Sequence, residues 1–288
     1  MLTLPRNELR ISITSACNMK CTYCHNEGNL QINFLTKNEI ENLVIAADKF
    51  NLKSVRITGG EPLIHPEIEE ICKTLSEKYN LKVSINTNGI EIEKLLNLID
   101  LGYVKRVVIG LDYFDAPISK DSCIGVPSQK ILENILEIKK RSCNVSVSTV
   151  YNNNYVNLRK IFNWCFNNKI RLKILETVNT EKSDTPTSEY ISMRDRLIEE
   201  FELGTFIDPK YNEVNATYND FVVASFFHSH CRIDECNVCK NLHLRVTANG
   251  FLKQCLFSSK NDICIKNGNL EECIKKAILQ DINVYKED

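Results

Sequence analysis

Cys17, Cys21 and Cys24 stand in the run Leu9-Arg-Ile-Ser-Ile-Thr-Ser-Ala-Cys17-Asn-Met-Lys-Cys21-Thr-Tyr-Cys24. Thiolate sulfur is a soft metal ligand, and three thiolates at C-x3-C-x2-C directly after a strand-like segment suit an iron–sulfur cube. A [4Fe–4S] cube ordinarily takes four cysteines. Three leave one iron open, and an open coordination position marks a catalytic metal, whereas a closed shell marks a structural one. The competing reading is a structural zinc site. His25 is the fourth donor at hand, but it adjoins Cys24, and adjacent residues rarely ligate one tetrahedral ion together. Further along comes Val55-Arg-Ile-Thr-Gly59-Gly60-Glu61-Pro62-Leu63. Two glycines after a strand let a backbone approach a small ligand closely.

A second cysteine group reads Cys231-x4-Cys236-x2-Cys239-x10-Gly250-x4-Cys255. The C-x2-C pair offers two ligands from one loop. A hairpin of Leu244–Val246 and Phe251–Lys253, turned at Asn249-Gly250, brings back Cys255 as a third. Cys231 could supply the fourth, and Cys264 or Cys273 could replace it. A zinc ribbon is the competing reading, because C-x2-C with further cysteines is also zinc spacing. Cys72 and Cys165 fall on helices and read as small core residues. Cys123, in a loop after Asp112-Tyr-Phe-Asp, is a candidate hydrogen-atom donor at a site mouth.

Around these residues lies an alternation of strand and helix patterns. Leu9–Thr14 reads as a strand. Thr36-Lys-Asn-Glu39 is a capping box, with Ile40, Leu43, Val44 and Ala47 following at helical spacing. Strands are expected at Ser54–Thr58, Lys82–Asn86, Val104–Leu111, Val145–Val150 and Arg171–Glu176. Helices are expected at Pro66–Tyr79, Ile90–Leu101, Ser128–Arg141 and Asn154–Asn167. Six β–α repeats predict an α/β fold: a partial (β/α)6, TIM-like barrel with its helices outside. Both motifs then fall at strand C-terminal ends, where such barrels place their active sites. Asp112 and Glu176 lie at strand ends too, where carboxylates can meet cofactor or substrate. Near Asn179 the rhythm breaks. After a polar linker and one more helix, Ser188–Phe201, the cysteine-rich tail reads as a second unit. The expected division is 1–180, the barrel, and 181–288, a small auxiliary-cluster domain.

The 288 residues are 43% hydrophobic and 25% charged, with a net charge of −1. That balance offers no electrostatic footprint for nucleic acid or a membrane surface. No apolar run reaches membrane-spanning length. Thirteen cysteines without a secretory signal point to a reducing compartment, the cytoplasm, and to metal ligation in place of disulfides.

The cysteine triad with Tyr23 before its last member, followed by Gly59-Gly60-Glu61-Pro62, resembles the radical S-adenosylmethionine (radical SAM) superfamily. The resemblance implies that Cys17, Cys21 and Cys24 hold a [4Fe–4S] cluster whose open iron chelates the methionine end of SAM. It implies reductive cleavage to a 5′-deoxyadenosyl radical, with electrons from a flavodoxin- or ferredoxin-type donor. Tyr23, Gly59, Gly60, Glu61 and Pro62 match cofactor positions, and Val178 would lie near the adenine. Within the superfamily the chain is most similar to the GTP cyclases that open molybdenum-cofactor biosynthesis (MoaA-like). Leu9-Arg-Ile-Ser-Ile-Thr, Val55-Arg-Ile-Thr-Gly-Gly-Glu-Pro-Leu, Thr87-Asn-Gly and Leu244-Arg-Val-Thr-Ala-Asn-Gly250…Cys255-Leu-Phe carry that likeness. Arg10 and Arg56 fall where those enzymes place substrate arginines. Cys231, Cys236, Cys239 and Cys255 resemble the ligands of a twitch or SPASM-like auxiliary [4Fe–4S] domain.

The departures from the cyclase pattern are specific. Ser54 stands at the position of a phosphate-side lysine, Ser146 at that of another lysine, Lys173 at that of an arginine, and His243-Leu-Arg245 replaces Arg-x-Arg. Asn86 and Gly110 replace hydroxyl residues at cofactor and substrate contacts. The chain ends Tyr285-Lys-Glu-Asp288 where the cyclases carry Gly-Gly. Triphosphates favour several forked or bidentate cationic donors. The expectation is therefore a radical SAM enzyme acting on another polar small molecule, nucleotide- or sugar-like. Arg10, Arg56, Lys173, His243 and Arg245 would face that substrate. The alternatives are GTP 3′,8-cyclisation, a peptide-modifying maturase, disfavoured by the lack of a separate peptide-recognition domain before the barrel, and a non-catalytic iron–sulfur or zinc protein.

Overall fold

In a computed structural model the described residues are 2–21, 24, 31–115, 128–141, 143–177, 187–208, 213–228, 242–255, 258–266 and 268–280. Six parallel strands form the frame: β1 (Glu8–Thr14), β2 (Ser54–Gly59), β3 (Lys82–Thr87), β4 (Val104–Gly110), β5 (Asn144–Tyr151) and β6 (Arg171–Glu176). Between them run α1 (Lys37–Asp48), α2 (Ile68–Lys73), α3 (Glu93–Asp100), α4 (Ser128–Lys139) and α5 (Tyr155–Asn167). The expected strand–helix order is present, and boundaries differ by a few residues. The helix expected from Pro66 to Tyr79 is α2 followed by a wider turn over Thr74–Lys78. The capping box of α1 forms as read, with Glu39 N–H donating to the Thr36 hydroxyl and Glu39 accepting from Thr36 N–H. Asn154 caps α5 in the same manner, accepting from Asn157 N–H.

In β1, β2 and β6 apolar and polar side chains alternate between the two faces. In β1, Leu9, Ile11 and Ile13 are almost wholly buried and pack with Ile40, Leu43, Val44 and Ala47 of α1 in the core. A fully buried side chain of this kind contributes about 1.5–3 kcal/mol. The opposite face carries Arg10, Ser12 and Thr14. The same split recurs as Val55 and Ile57 against Arg56 and Thr58, and as Leu172 and Ile174 against Arg171 and Lys173. TIM barrels ordinarily fill their interior with Val, Ile and Leu. Here the inner face is polar and cationic.

The sheet runs on past the six strands. Beyond α6 (Ser188–Glu200), β7 (Gly204–Asp208), β8 (Glu213–Tyr218) and β9 (Phe221–Phe227) follow, with β9 parallel to β6 and β8 antiparallel to β9. The turn Asn219-Asp220 takes positive φ at both residues, as a tight hairpin requires. That dipeptide between two apolar runs is the signal the sequence reading passed over. On the other side of β1 the expected hairpin forms, as β10 (Leu244–Val246) and β11 (Phe251–Lys253), with β12 (Ile263–Cys264) and α7 (Leu270–Leu279) after it. One twelve-stranded sheet thus joins strands from both sides of residue 180, in the order β12-β11-β10-β1-β2-β3-β4-β5-β6-β9-β8-β7. Its curl is shown by Arg6, just before β1, whose Nη2 reaches Glu213 Oε1 on β8 at 3.4 Å. No helix among the described residues is long and apolar enough to cross a membrane.

Candidate active site

The cysteine loop leaves the C-terminal end of β1 and returns to it. Its two stems are stitched together: Ser15 N–H donates to Asn33 O, Ser15 Oγ to Gln31 O, and Leu35 N–H to Ile13 O. The loop is thereby anchored at the sheet end, which fixes where its thiols start. Cys17 and Cys24 are exposed and Cys21 is partly exposed. Cys17 Sγ accepts from Met19 N–H at 3.4 Å, and Cys24 N–H turns back to Cys21 O. Burial raises the Cys17 thiol above its ordinary pKa and the Met19 hydrogen bond lowers it; the charges of Glu61, Cys21 and Cys24 raise it further. Among the described residues no three His, Cys, Asp or Glu side chains converge on a single ion. A cube differs from a zinc ion here, since it meets each thiolate at a separate iron. Three accessible thiols spread over one anchored loop fit that demand.

The Gly-Gly-Glu-Pro loop closes against this stem. Gly60 N–H donates to Thr14 O at 2.7 Å, and Glu61 N–H to Ala16 O at 2.8 Å. A Cβ at Gly59 would lie 2.2 Å from Thr14 O, and one at Gly60 2.2 Å from Ala16 O. The glycines therefore serve first to press two chain segments together, a reason the sequence reading, which assigned them to ligand approach, did not contain. Glu61 is 2% exposed. Its carboxylate accepts from the Thr87 hydroxyl at 2.8 Å, Asn88 N–H at 2.7 Å and Leu63 N–H at 3.0 Å. Burial raises its pKa, against those three donors. Asn88 in turn donates to Asn18 Oδ1 within the cysteine loop, at 2.7 Å. So the ends of β1, β2 and β3 are locked into one unit. Pro62, also buried, opens the short helical turn that follows.

The other expected carboxylates hold backbone. Asp112 accepts from Val150 N–H at 2.7 Å, joining the ends of β4 and β5. Glu176 accepts from Thr187 N–H at 2.6 Å, at the start of α6. Gly110 is exposed at the end of β4. Asn86 keeps its Oδ1 buried without a hydrogen-bond partner, as does the Ser146 hydroxyl. Tyr23, Val178, Cys123, Cys231, Cys236 and Cys239 lie outside the described residues. Cys255, Cys264 and Cys273 are partly exposed, on or beside the β10–β12 unit and α7.

Register gathers the expected substrate residues. Arg245 pairs with Arg10, Arg10 with Arg56, Arg56 with Ser84, and Ser84 with Arg106. Side chains at matched positions share a face, so four arginines stand in one row across five strands. The sequence reading named three of them and missed Arg106; it also missed Arg171. Both sit at polar positions in strands whose alternate residues are buried, which is the pattern that could have found them. Arg56 pairs with Glu8 at 3.0 Å. Burial lowers the Lys173 ammonium to about 6, helped by the charges of Arg106, Arg56 and Arg171. Burial, then Arg245, Arg10, Arg56 and Arg6, push His243 far below its usual range, so its imidazole is neutral. The interior is thus a ring of crowded positive charge below the mouth that carries the thiols.

The model of the radical SAM superfamily matches residues 11–165. Similar full-length proteins include the probable GTP 3′,8-cyclase of Methanocaldococcus jannaschii, 26% identical, with 93% of this chain and 94% of that protein covered. The GTP 3′,8-cyclase of Clostridium perfringens is 27% identical, with coverages of 94% and 89%. Among solved structures, Streptococcus suis SuiB bound to precursor peptide SuiA superposes with a TM-score of 0.71 at 17% identity. That match takes in 98% of this chain and 66% of SuiB, so the chain spans about two thirds of that protein. An anSMEcpe structure with bound AdoMet gives 0.66 at 16% identity, covering 96% of this chain and 80% of that one. The structural likenesses show the fold alone. The family match spans more than half of the sequence and takes in both the cysteine loop and the Gly-Gly-Glu-Pro loop, and the protein belongs to the radical SAM superfamily.

Proposed function

We propose that the protein cleaves S-adenosylmethionine reductively and abstracts hydrogen from an anionic or polar small molecule, nucleotide- or sugar-like. The observation that carries this reading is the anchored triad of Cys17, Cys21 and Cys24 set above the arginine row Arg245–Arg10–Arg56–Arg106. Bound cluster and SAM supply the electron transfer and the 5′-deoxyadenosyl radical. The chain's own residues do the rest. Gly59, Gly60 and Glu61 fix the loop that presents the thiols, and Asn86 and Ser146 leave buried polar atoms for a ligand to meet. Lys173, deprotonated near neutral pH, offers a lone pair or, beside an anion, regains its proton. Cys231, Cys236, Cys239 and Cys255 are proposed as ligands of an auxiliary [4Fe–4S] cluster in the segment 181–288. The test is anaerobic reconstitution, reduction, and assay of 5′-deoxyadenosine. Replacing Cys17, Cys21 and Cys24 by Ala should abolish its formation, and cleavage persisting in that variant would refute the reading.

The second reading is GTP 3′,8-cyclase, favoured by relatives of that name matching almost the whole chain. Ser54, Ser146 and His243 oppose it, since each lost charge-assisted contact costs about 1.5–3 kcal/mol. Incubation of the reduced enzyme with SAM and GTP, followed by mass spectrometry for a cyclised product, separates the two.

A further inference from the structure

Ala16 precedes Cys17 and Asn18 follows it, and both neighbours of this first thiol are held from other strands. Ala16 O accepts from Glu61 N–H at 2.8 Å, a tie to the loop after β2. Asn18 Oδ1 accepts from Asn88 Nδ2 at 2.7 Å, a tie to the turn after β3. The Asn88 carboxamide is itself oriented by its surroundings. Its Oδ1 accepts from Ile90 N–H at 3.1 Å, which turns the NH2 end toward Asn18. The backbone N–H of Asn88 donates to Glu61 Oε2 at 2.7 Å. The turn that carries it is fixed from below and from the side. Gly89 N–H donates to Thr87 Oγ1 at 3.1 Å. Gly89 has a φ of 73°, and a Cβ there would stand 2.8 Å from Ile109 Cγ2 of β4. From α4, Asn134 Nδ2 donates to Gly89 O at 2.7 Å and to Ile90 O at 3.1 Å. Side-chain amides thus run in steps from α4, through the turn after β3, to the residue beside Cys17.

Cys17 Sγ accepts from Met19 N–H at 3.4 Å, so the short turn through Asn18 also aims the thiol. Holding Asn18 therefore fixes both the place of the Cys17 backbone and the direction of its sulfur. Groups that hold a metal ligand in place, without touching the metal, govern how well the site binds. We infer that Asn88 is a positioning residue for the cluster, holding Asn18 so that the fold itself presets Cys17 as the first ligand of the triad. Glu61 grips the chain on one side of Cys17 and Asn88 on the other, and each grip comes from a different strand end. This inference rests on the iron–sulfur reading of the triad and asks more of it, namely that one ligand is set before the cluster arrives.

A double-mutant cycle tests it. Asn88→Ser keeps a side-chain oxygen for Ile90 N–H but is too short to reach Asn18. Asn18→Ala removes the acceptor from the other side. Each protein is reconstituted anaerobically, and iron loss to the ferrous chelator ferrozine is followed optically. The iron that the Cys17, Cys21 and Cys24 alanine variant retains is subtracted, which leaves the iron of the triad. Each single variant should release that iron about ten-fold faster than the wild type, the lower end of the effect of losing such a supporting group. The double variant should be no faster than either single one, because both changes remove the same bond. The electron paramagnetic resonance signal of the reduced triad cluster should broaden in each, as the ligand geometry becomes less uniform. Unchanged release rates in the folded variants overturn the inference. So do effects that multiply in the double variant, which would show that the two asparagines act separately. If Asn88→Ser fails to fold, as judged by circular dichroism, the Asn18→Ala rate decides alone. A wild type that holds no more iron than the triple alanine variant overturns the cluster reading itself, and this inference with it.

Discussion

Gly60 rests directly on Ala16: a Cβ at Gly60 would stand 2.2 Å from the Ala16 carbonyl oxygen, while the amide of Glu61 donates to that same oxygen at 2.8 Å. The contact joins the loop after β2 to the first residue before the cysteine triad. Positions of the thiols and of the Gly-Gly-Glu-Pro loop are thus mechanically one variable.

Gly60→Ala should therefore displace the cysteine stem. Backbone cannot yield as a flexible side chain can, and overpacking costs about 1–3 kcal/mol. Lower stability in urea and lower iron content after reconstitution are expected. Gly110→Ala is the stability control, because its Cβ would meet nothing nearer than Thr87 O at 4.0 Å. Equal unfolding midpoints for the two variants would contradict this account.

Glu61→Gln tests the buried carboxylate. Thr87 Oγ1, Asn88 N–H and Leu63 N–H all donate to it. A glutamine amide must turn its NH2 toward at least one donor, leaving a buried polar clash. The expected loss is about 1.5–3 kcal/mol, the worth of a hydrogen bond to a charged group. Denaturant unfolding of folded apoprotein measures it, and an unchanged free energy would show that these donors are satisfied elsewhere.

Lys173 predicts a pH dependence. The unfolded chain keeps this lysine protonated up to its ordinary 10.5, whereas the fold sheds the proton near 6. Between those values the unfolded state binds more protons, so stability rises with pH through that window. The contribution approaches about 1.4 kcal/mol per pH unit. Lys173→Met should flatten the rise between pH 6.5 and pH 8.5 in urea titrations. The same slope in both proteins would count against a neutral Lys173.

Iron content checks the two-cluster proposal. With a cube at the triad and another in the segment 181–288, reconstituted wild type should carry about eight irons per chain. The Cys17, Cys21 and Cys24 alanine variant should keep roughly half. Stoichiometric zinc with only four irons would favour a zinc ribbon for Cys236, Cys239 and Cys255.

Local pattern was enough for much of this protein. The triad spacing and the Gly-Gly-Glu-Pro run named the chemistry, because ligand spacing within one loop is set by the chain itself. The Thr36–Glu39 capping box and the apolar stripe of α1 were legible for the same reason, as were the six parallel strands with buried Val, Ile and Leu at alternate positions. Tertiary structure decided what depends on strand pairing. The row Arg245–Arg10–Arg56–Arg106 spans residues from opposite ends of the chain, and only the register of five strands lines it up. The grip of Asn215 and Ser225 on Arg171 needs β8 and β9 to join the sheet beside β6, which no local spacing encodes. Gly60 could be read as a place of close approach. That its neighbour is the Ala16 backbone is a consequence of β1 and β2 ending side by side, a long-range contact fixed by packing and by hydrogen bonds across the sheet.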